Sequence, residues 1–172
     1  MHNIAVLYKS AGDLDKYRYY SRIAILTKKG GPKYLNEMGL VYLDEKKHDL
    51  ACEQFQEALQ ICPTYGPSHL NLSVSLASRG KYREALRSCQ NALLYMPQDA
   101  SVHRNLGKIF EALGQTADSL KHNTIALSLE PNDATLACKI SLQNVARGNL
   151  REANVKYDTY RTLNGKKYDL KI

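Results

Sequence analysis

The sequence predicts an all-α protein built from antiparallel helix hairpins that stack one after another. Three sets of residues recur every 34 positions, and together they carry this prediction. Prolines stand at positions 63, 97 and 131, glycines at 80, 114 and 148, and alanines at 24, 58, 92 and 126. A fixed period of this length is the sequence signature of a helical-repeat array.

Each period is predicted to hold two helices joined by a tight turn, for example Ser68–Arg79 followed by Lys81–Tyr95. A glycine between the helices supplies a positive φ, which ends the first helix at low cost. A proline cannot continue the second helix, so it closes the unit. Gly12 falls two periods before Gly80, and Lys46 occupies the intermediate place, where it interrupts the glycine column.

Two columns of small residues predict a close crossing of the two helices in each unit. One column is Gly39, Ser73, Gly107 and Ser141, and it is expected to face the other, which is Ala51, Ala85, Ser119 and Ala153. Larger apolar residues fill the space around the crossing: Met38, Leu72, Leu106 and Ile140 on first helices, and Leu59, Leu93 and Leu127 on second helices.

The period divides the chain into six segments. They are a partial N-terminal repeat (1–31), three repeats (32–65, 66–99 and 100–133), a divergent C-terminal capping repeat (134–163) and a basic tail (164–172). Tyr160 and Arg161 replace the small and apolar residues of earlier units, as expected on an end face that no further repeat covers. The N-terminal face shows no such cap, so we expect it to dock on something, to pair two copies of the chain, or to continue a longer array.

Charge is distributed unevenly along the chain. Residues 1–34 carry seven Lys/Arg and two Asp/Glu, residues 134–172 carry eight and three, and the middle carries nine and twelve. This is not a uniform nucleic-acid-binding face, because only the ends are basic. An RNA-associated helical-repeat protein that uses its basic ends remains the alternative. However, the basic residues are not arranged to read one RNA base per repeat.

Other functional classes lack their signatures. The chain has no nucleophile elbow, no zinc-protease motif and no phosphate-binding glycine loop, so no catalytic residue, metal site or cofactor is predicted and the protein is not expected to be an enzyme. Four cysteines without ligand spacing are expected to be reduced, buried thiols. Because no signal peptide or run of 18 apolar residues occurs, we expect no membrane contact and an intracellular, cytoplasmic location.

The repeating pattern resembles the tetratricopeptide repeat. The resemblance covers essentially the whole chain and is clearest in LNLSVSLASRGKYREALRSCQNALLYMPQD (70–99) and NLGKIFEALGQTADSLKHNTIALSLEPND (105–133). The family's tryptophan is absent, and His69 and His103 occupy its place, where a packing role is expected. The resemblance implies a right-handed superhelical solenoid in which the first helices line a concave groove.

The resemblance also implies which residues line that groove. In related arrays, asparagines at the place of Asn71 and Asn105 hydrogen-bond a peptide backbone, although asparagine is also simply common there. Arg104, Lys108 and Lys139 are expected either to form a basic patch that favours an acidic segment or to be solvated independently. The full predicted groove set is Asn36, Leu40, Asn71, Val74, Arg104, Asn105, Lys108 and Lys139. The family's chaperone-tail clamp is not reproduced, since only scattered residues match it.

A second contact surface is predicted in the partial N-terminal repeat. Tyr17, Arg18, Tyr19, Tyr20 and Arg22 form a tyrosine–arginine cluster that is denser than packing requires. Clusters of this composition are frequent hot spots in protein interfaces. The sequence therefore predicts a protein–protein interaction scaffold or adaptor that is a subunit of a larger assembly. It is expected to bind an extended or helical segment of another protein, and the basic patch favours an acidic segment.

Overall fold

The computed structural model describes residues 7–8, 11–13, 15–17, 19–20, 23 and 31–168, with side chains described as far as Leu163. Within this part of the chain every regular element is an α-helix, which confirms the predicted fold class. In chain order the helices are α1 (Pro32–Asp44), α2 (His48–Ile61), α3 (Gly66–Ser78), α4 (Tyr82–Tyr95), α5 (Ala100–Ala112), α6 (Thr116–Leu129), α7 (Ala134–Ala146) and α8 (Leu150–Tyr168). Residues 7–8, 15–17, 19–20 and 23 are helical as well.

The helices pack as consecutive hairpins within two compact units, Met1–Tyr95 and Met96–Ile172. In the first unit α1 pairs with α2, α3 pairs with α4, and α3 also packs against α1 and α2. In the second unit α5 pairs with α6, α7 pairs with α8, and α6 packs against α7. Each unit is therefore a stack of hairpins, as the 34-residue period predicts.

The turns inside the hairpins are closed by one repeated hydrogen bond. The backbone N–H groups of Lys47, Lys81, Gln115 and Asn149 donate to the carbonyl groups of Tyr42, Leu76, Phe110 and Asn144, at 2.8 to 3.0 Å. This geometry requires a positive φ, and Gly80, Gly114 and Gly148 supply it at 74° to 77°. Lys46 adopts the same conformation with a φ of 58°, so the turn forms there against the preference of a residue that carries a Cβ.

Residues at the helix starts explain where the hairpins begin. Pro32 and Pro67 lie in the first turns of α1 and α3, where the missing N–H costs no hydrogen bond. Asp99 and Asp133 precede α5 and α7, and their carboxylates accept from the backbone N–H of Ser101 at 2.7 Å and of Leu136 at 2.9 Å. These side chains satisfy amide groups that would otherwise lack partners.

A glycine on a first helix lies directly beneath a side chain of the following helix in both units. In the first unit a Cβ added at Gly39 would overlap the buried ring of Phe55. In the second unit a Cβ at Gly107 would overlap the fully buried amide of Asn123, which stands 68 residues after Phe55 in the same repeat position. The predicted contact between the small columns is also visible, since Ser141 Oγ donates to the carbonyl of Ala153 at 2.8 Å.

The core between α6 and α7 contains polar groups. Asn123 Nδ2 donates to Ser119 Oγ at 3.3 Å and to Gln143 Oε1 at 3.1 Å, and Gln143 Nε2 donates to Ser119 Oγ at 2.9 Å. Asn123 Oδ1 is buried without a hydrogen-bond partner among the described residues. An unpaired buried acceptor costs stability, so this boundary is weaker than an apolar one of the same size.

The last helix extends beyond the predicted end of the repeat, because α8 remains helical to Tyr168. Tyr160 is half-buried and packs against the cluster of Ala126, Leu127, Leu136, Ala137 and Ile140. Its ring therefore lies over apolar surface. The capping role of residues 134–163 and the limits of the individual repeats stay predictions.

Candidate functional site

An interlocked amide cluster joins the first helices of the first unit. Asn36 on α1 is buried, and its Oδ1 accepts from Ser68 Oγ at 3.1 Å and from Asn71 Nδ2 at 2.9 Å, both on α3. The amide of Asn71 is half-buried. The two asparagines thus hold each other in one orientation before any ligand binds.

This cluster leaves hydrogen-bonding capacity unused. Among the described residues nothing pairs with Asn36 Nδ2 or Asn71 Oδ1. One is a donor and the other an acceptor. A peptide group offers the complementary pair, a carbonyl oxygen and an N–H.

Apolar side chains flank the cluster on the same helix faces. Leu40 follows Asn36 by four residues and is 38% exposed, while Val74 follows Asn71 by three residues and is half-buried. Residues at these spacings are neighbours on a helix surface. Leu70, next to Asn71, is half-buried too. We call Asn36, Leu40, Leu70, Asn71 and Val74 the amide strip.

In the second unit two of the three predicted groove cations are held in ion pairs. Arg104 on α5 contacts Glu130 at 2.5 Å and Asp133 at 3.2 Å, so it ties α5 to the turn between α6 and α7. Lys139 on α7 pairs with Glu111 on α5. The expected basic patch is therefore largely neutralised by carboxylates of the chain itself.

The remaining predicted groove residues of this unit are Lys108 and Asn105. Lys108 is exposed, and within the described part of the chain no carboxylate pairs with it. Asn105 is half-buried, and no side-chain hydrogen bond to it occurs among the described residues. These two side chains are available to a ligand, whereas Arg104 and Lys139 are already engaged.

His69 and His103 both tie a first helix to the preceding turn. His69 Nε2 lies 2.8 Å from the carbonyl oxygen of Pro63, and His103 Nε2 lies 3.2 Å from that of Pro97. Both rings are buried, and His69 also stacks on Tyr95 with centroids 5.8 Å apart. The contacts are those of the packing role that the sequence predicts.

His103 forms a second contact, with His122 on α6. Their Nδ1 atoms are 3.0 Å apart, and His122 also stacks on Phe110 with ring centroids 5.5 Å apart. Burial lowers the pKa of His122, and the adjacent His103 and Lys121 lower it further while Asp118 opposes them.

The predicted N-terminal cluster is described only in part. Tyr19 is exposed and packs edge-to-face on Tyr20, and Tyr20 stacks on Tyr8 with ring centroids 5.3 Å apart. Tyr17 is half-buried. Arg18 and Arg22 lie outside the described residues, so their part in a contact surface stays a prediction.

An open cavity of about 510 Å³ lies beside the start of α5, lined by residues 96–101 with Leu129 and Glu130. Both of its acids are engaged, because Asp99 caps α5 and Glu130 pairs with Arg104. We assign no ligand to it.

The described residues contain neither a metal-binding cluster nor a membrane-spanning helix. None of their groups of His, Cys, Asp and Glu has three or more members placed to hold a metal ion. None of their helices is both long and apolar enough to cross a membrane.

The stacked helix hairpins, with the amide strip on their first helices, define this chain as a helical-repeat protein. Residues 33–96 match the family model described as tetratricopeptide repeat, so this segment is similar to that family. A sequence comparison with curated proteins finds no match.

Solved structures with the same fold include three tetratricopeptide-like proteins. MamA is 17% identical with a TM-score of 0.81 over 96% of each chain. TTC0263 of Thermus thermophilus is 20% identical with a TM-score of 0.75 over 98% of this chain and 92% of its own. YrrB, described as having an unusual peptide-binding site, is 18% identical with a TM-score of 0.69 over 94% of this chain and 84% of its own. At these identities the likeness shows the fold alone.

Proposed function

We propose that this protein is an interaction scaffold that binds an extended or helical segment of a partner protein along its first helices. The observation that carries the proposal is the Asn36–Asn71 pair, which offers one donor and one acceptor beside the exposed side chain of Leu40. A similar fold in YrrB is described with a peptide-binding site, which supports the same use of the architecture.

The amide strip suits recognition of a peptide backbone. Asn36 Nδ2 would donate to a carbonyl oxygen of the bound segment, and Asn71 Oδ1 would accept from an N–H of the same segment. Each such bond contributes about 0.5–1.5 kcal/mol net. Because the two amides already fix each other, little side-chain entropy is lost on binding.

The side chains of the bound segment are proposed to be apolar next to the amide strip. Leu40, Leu70 and Val74 provide apolar surface there. In the second unit an acidic side chain would have to compete with Glu130 and Asp133 for Arg104, or with Glu111 for Lys139. Lys108 is the cation of the predicted patch that is best placed to bind a carboxylate.

The ion pairs also bear on the RNA alternative. Within the basic ends, Lys16 and Lys139 are already paired with Asp13 and Glu111, and phosphate binding there would require those pairs to open. Protein binding is therefore the function that the geometry supports best.

The proposal can be tested with peptides selected from a random displayed library on the wild-type protein. A selected peptide should lose affinity by about tenfold for Asn71→Ala, because both the donor to Asn36 and the outward acceptor are removed. N-methylation of one backbone amide of that peptide should weaken wild-type binding by a similar factor. Asn91→Ala removes an exposed asparagine on α4 and serves as the matched control.

The triple variant Asn71→Ala, Asn105→Ala, Lys139→Ala tests the wider groove. It should abolish peptide binding while circular dichroism shows the wild-type helix content. Unimpaired binding by this variant, or equal losses for Asn71→Ala and Asn91→Ala, would contradict the groove proposal.

A further inference from the structure

Two exposed surfaces in different units have opposite charge and apolar side chains of their own. One lies on α2 and consists of Leu50, Glu53, Glu57 and Ile61, which we call the acidic α2 face. The other lies where α7 meets α8 and consists of Leu142, Val145, Arg147, Leu150 and Arg151, which we call the basic corner.

The acidic α2 face is a single stripe. Its four residues are spaced by three, four and four, which places them on one side of the helix. Leu50 is 39% exposed and Ile61 is 52% exposed. Helix α2 contains three acidic residues and no Lys or Arg. Asp49 pairs with Arg79, whereas Glu53 and Glu57 are exposed and have no ion pair within the described residues.

The basic corner has the reverse composition. From Ala134 to Arg151 the chain has three basic residues and no acidic one. Leu142 and Val145 share one face of α7 and are 64% and 51% exposed, and Leu150 at the start of α8 is 62% exposed. The hydrogen bond from Asn149 N–H to the carbonyl of Asn144, 2.9 Å long, holds the end of α7 beside the start of α8.

The arginines of the corner are not used internally. Arg147 and Arg151 lie on either side of the turn and are exposed, and no carboxylate among the described residues pairs with them. Lys139 is the third cation of the segment and is paired with Glu111. Large exposed apolar side chains beside unpaired charges are typical of a contact surface rather than of a solvated one.

We propose that the basic corner of one copy of this chain binds the acidic α2 face of a second copy. Two arginines meet two glutamates, and the leucine, isoleucine and valine side chains pack between them. Charge complementarity of this kind sets orientation and speeds association. Because the two surfaces differ, the contact is head-to-tail, and each bound copy leaves one surface open for the next.

The state of association of the purified protein tests this directly. Sedimentation velocity over a range of concentrations should show the mean mass rising with concentration at low salt. The apparent dissociation constant should increase by about tenfold or more at high salt, where exposed charges are screened.

Charge reversal separates this contact from any other. Arg147→Glu with Arg151→Glu should give a monomer, and so should Glu53→Arg with Glu57→Arg. A one-to-one mixture of the two double variants should associate again, because each reversed surface then meets its complement. Arg83→Glu with Arg87→Glu, an exposed pair four residues apart on α4, is the matched control and should behave as wild type.

The apolar part is tested by Leu142→Ser with Leu150→Ser, which should weaken association at every salt concentration. Circular dichroism of each variant checks that the helices remain intact. A wild-type monomer at all concentrations, or a mixture of reversed variants that stays monomeric, would overturn the proposal. Association that is unchanged in both charge-reversal variants would overturn it too, since copies would then meet through other surfaces. The peptide-binding proposal is unaffected by any of these results, because it rests on different residues.

Discussion

The Nδ1 atoms of His103 and His122 lie 3.0 Å apart and share one hydrogen bond. Because His103 Nε2 faces the carbonyl oxygen of Pro97, it carries a proton there. The bond between the two Nδ1 atoms needs one donor and one acceptor, so one of the two rings carries a lone pair at Nδ1. The contact is therefore present only while at least one of the rings is neutral.

This pair predicts a loss of stability in mild acid. The pKa of His122 is lowered from 6.5 in the folded state, first by burial and then by His103. As the pH falls below 6.5, the unfolded chain takes up a proton more readily than the folded one, so the free energy of unfolding decreases until the pH lies below the folded-state pKa. Urea unfolding at a series of pH values should show this decrease.

His122→Phe is the variant that isolates the effect. Phenylalanine keeps the stack with Phe110 and cannot titrate, so the slope of stability against pH should flatten below pH 6.5. An unchanged slope would assign the titration to another group.

The positive φ of Lys46 predicts a stabilising substitution. Glycine adopts this conformation without the penalty of a Cβ, so Lys46→Gly should raise the free energy of unfolding by about 1 kcal/mol. Lys46→Ala is the matched control, because alanine removes the same charged side chain and keeps the Cβ at a φ of 58°. Thermal melts compare the two variants, and equal shifts would argue against the conformational explanation.

The close approach of Gly39 and Phe55 predicts a strongly destabilising substitution. A methyl group at position 39 would overlap the Phe55 ring, so Gly39→Ala should lower the free energy of unfolding by about 1–3 kcal/mol despite the better helix propensity of alanine. Gly31→Ala serves as the control, since its Cβ would meet Tyr34 at an ordinary 3.6 Å. Adding Phe55→Leu should recover part of the loss at position 39, and additive effects would contradict the proposed overlap.

Thiol reactivity is predicted to differ among the four cysteines. Burial raises the pKa of Cys89 to about 11, with a hydrogen bond from Ser73 opposing the rise. Because thiolate is the reactive form, Cys89 should resist alkylation in the native protein. Cys62 and Cys138 are half-buried and should react first. Mass spectrometry after brief alkylation identifies the modified positions, and early labelling of Cys89 would contradict the packing around it.

The hairpins could be predicted because their signals are local. Gly80 and Pro97 act within a few residues of where they stand, and the turns form where these residues recur. The state of the site residues could not be predicted in the same way. Arg104 meets a carboxylate 26 residues away and Lys139 one 28 residues away, and the period does not determine which side chains pair at that distance.

Asn36 shows the same limit. Its place in the repeat predicts a groove residue, but its burial depends on Ser68 and Asn71 in the following hairpin. The sequence does mark Asn123, because it is the one amide in a repeat column that also holds Phe55, Cys89 and Tyr157.

The polar contact of Asn123, Ser119 and Gln143 determines where the second unit comes apart most easily. Local opening of α7 and α8 away from α6 exposes groups that water can solvate at once, whereas opening around Phe55 in the first unit exposes a bare ring. Amide hydrogen exchange should therefore be faster in α7 and α8 than in α1 and α2. We therefore expect the hairpin of α7 and α8 to open locally while α5 and α6 remain folded.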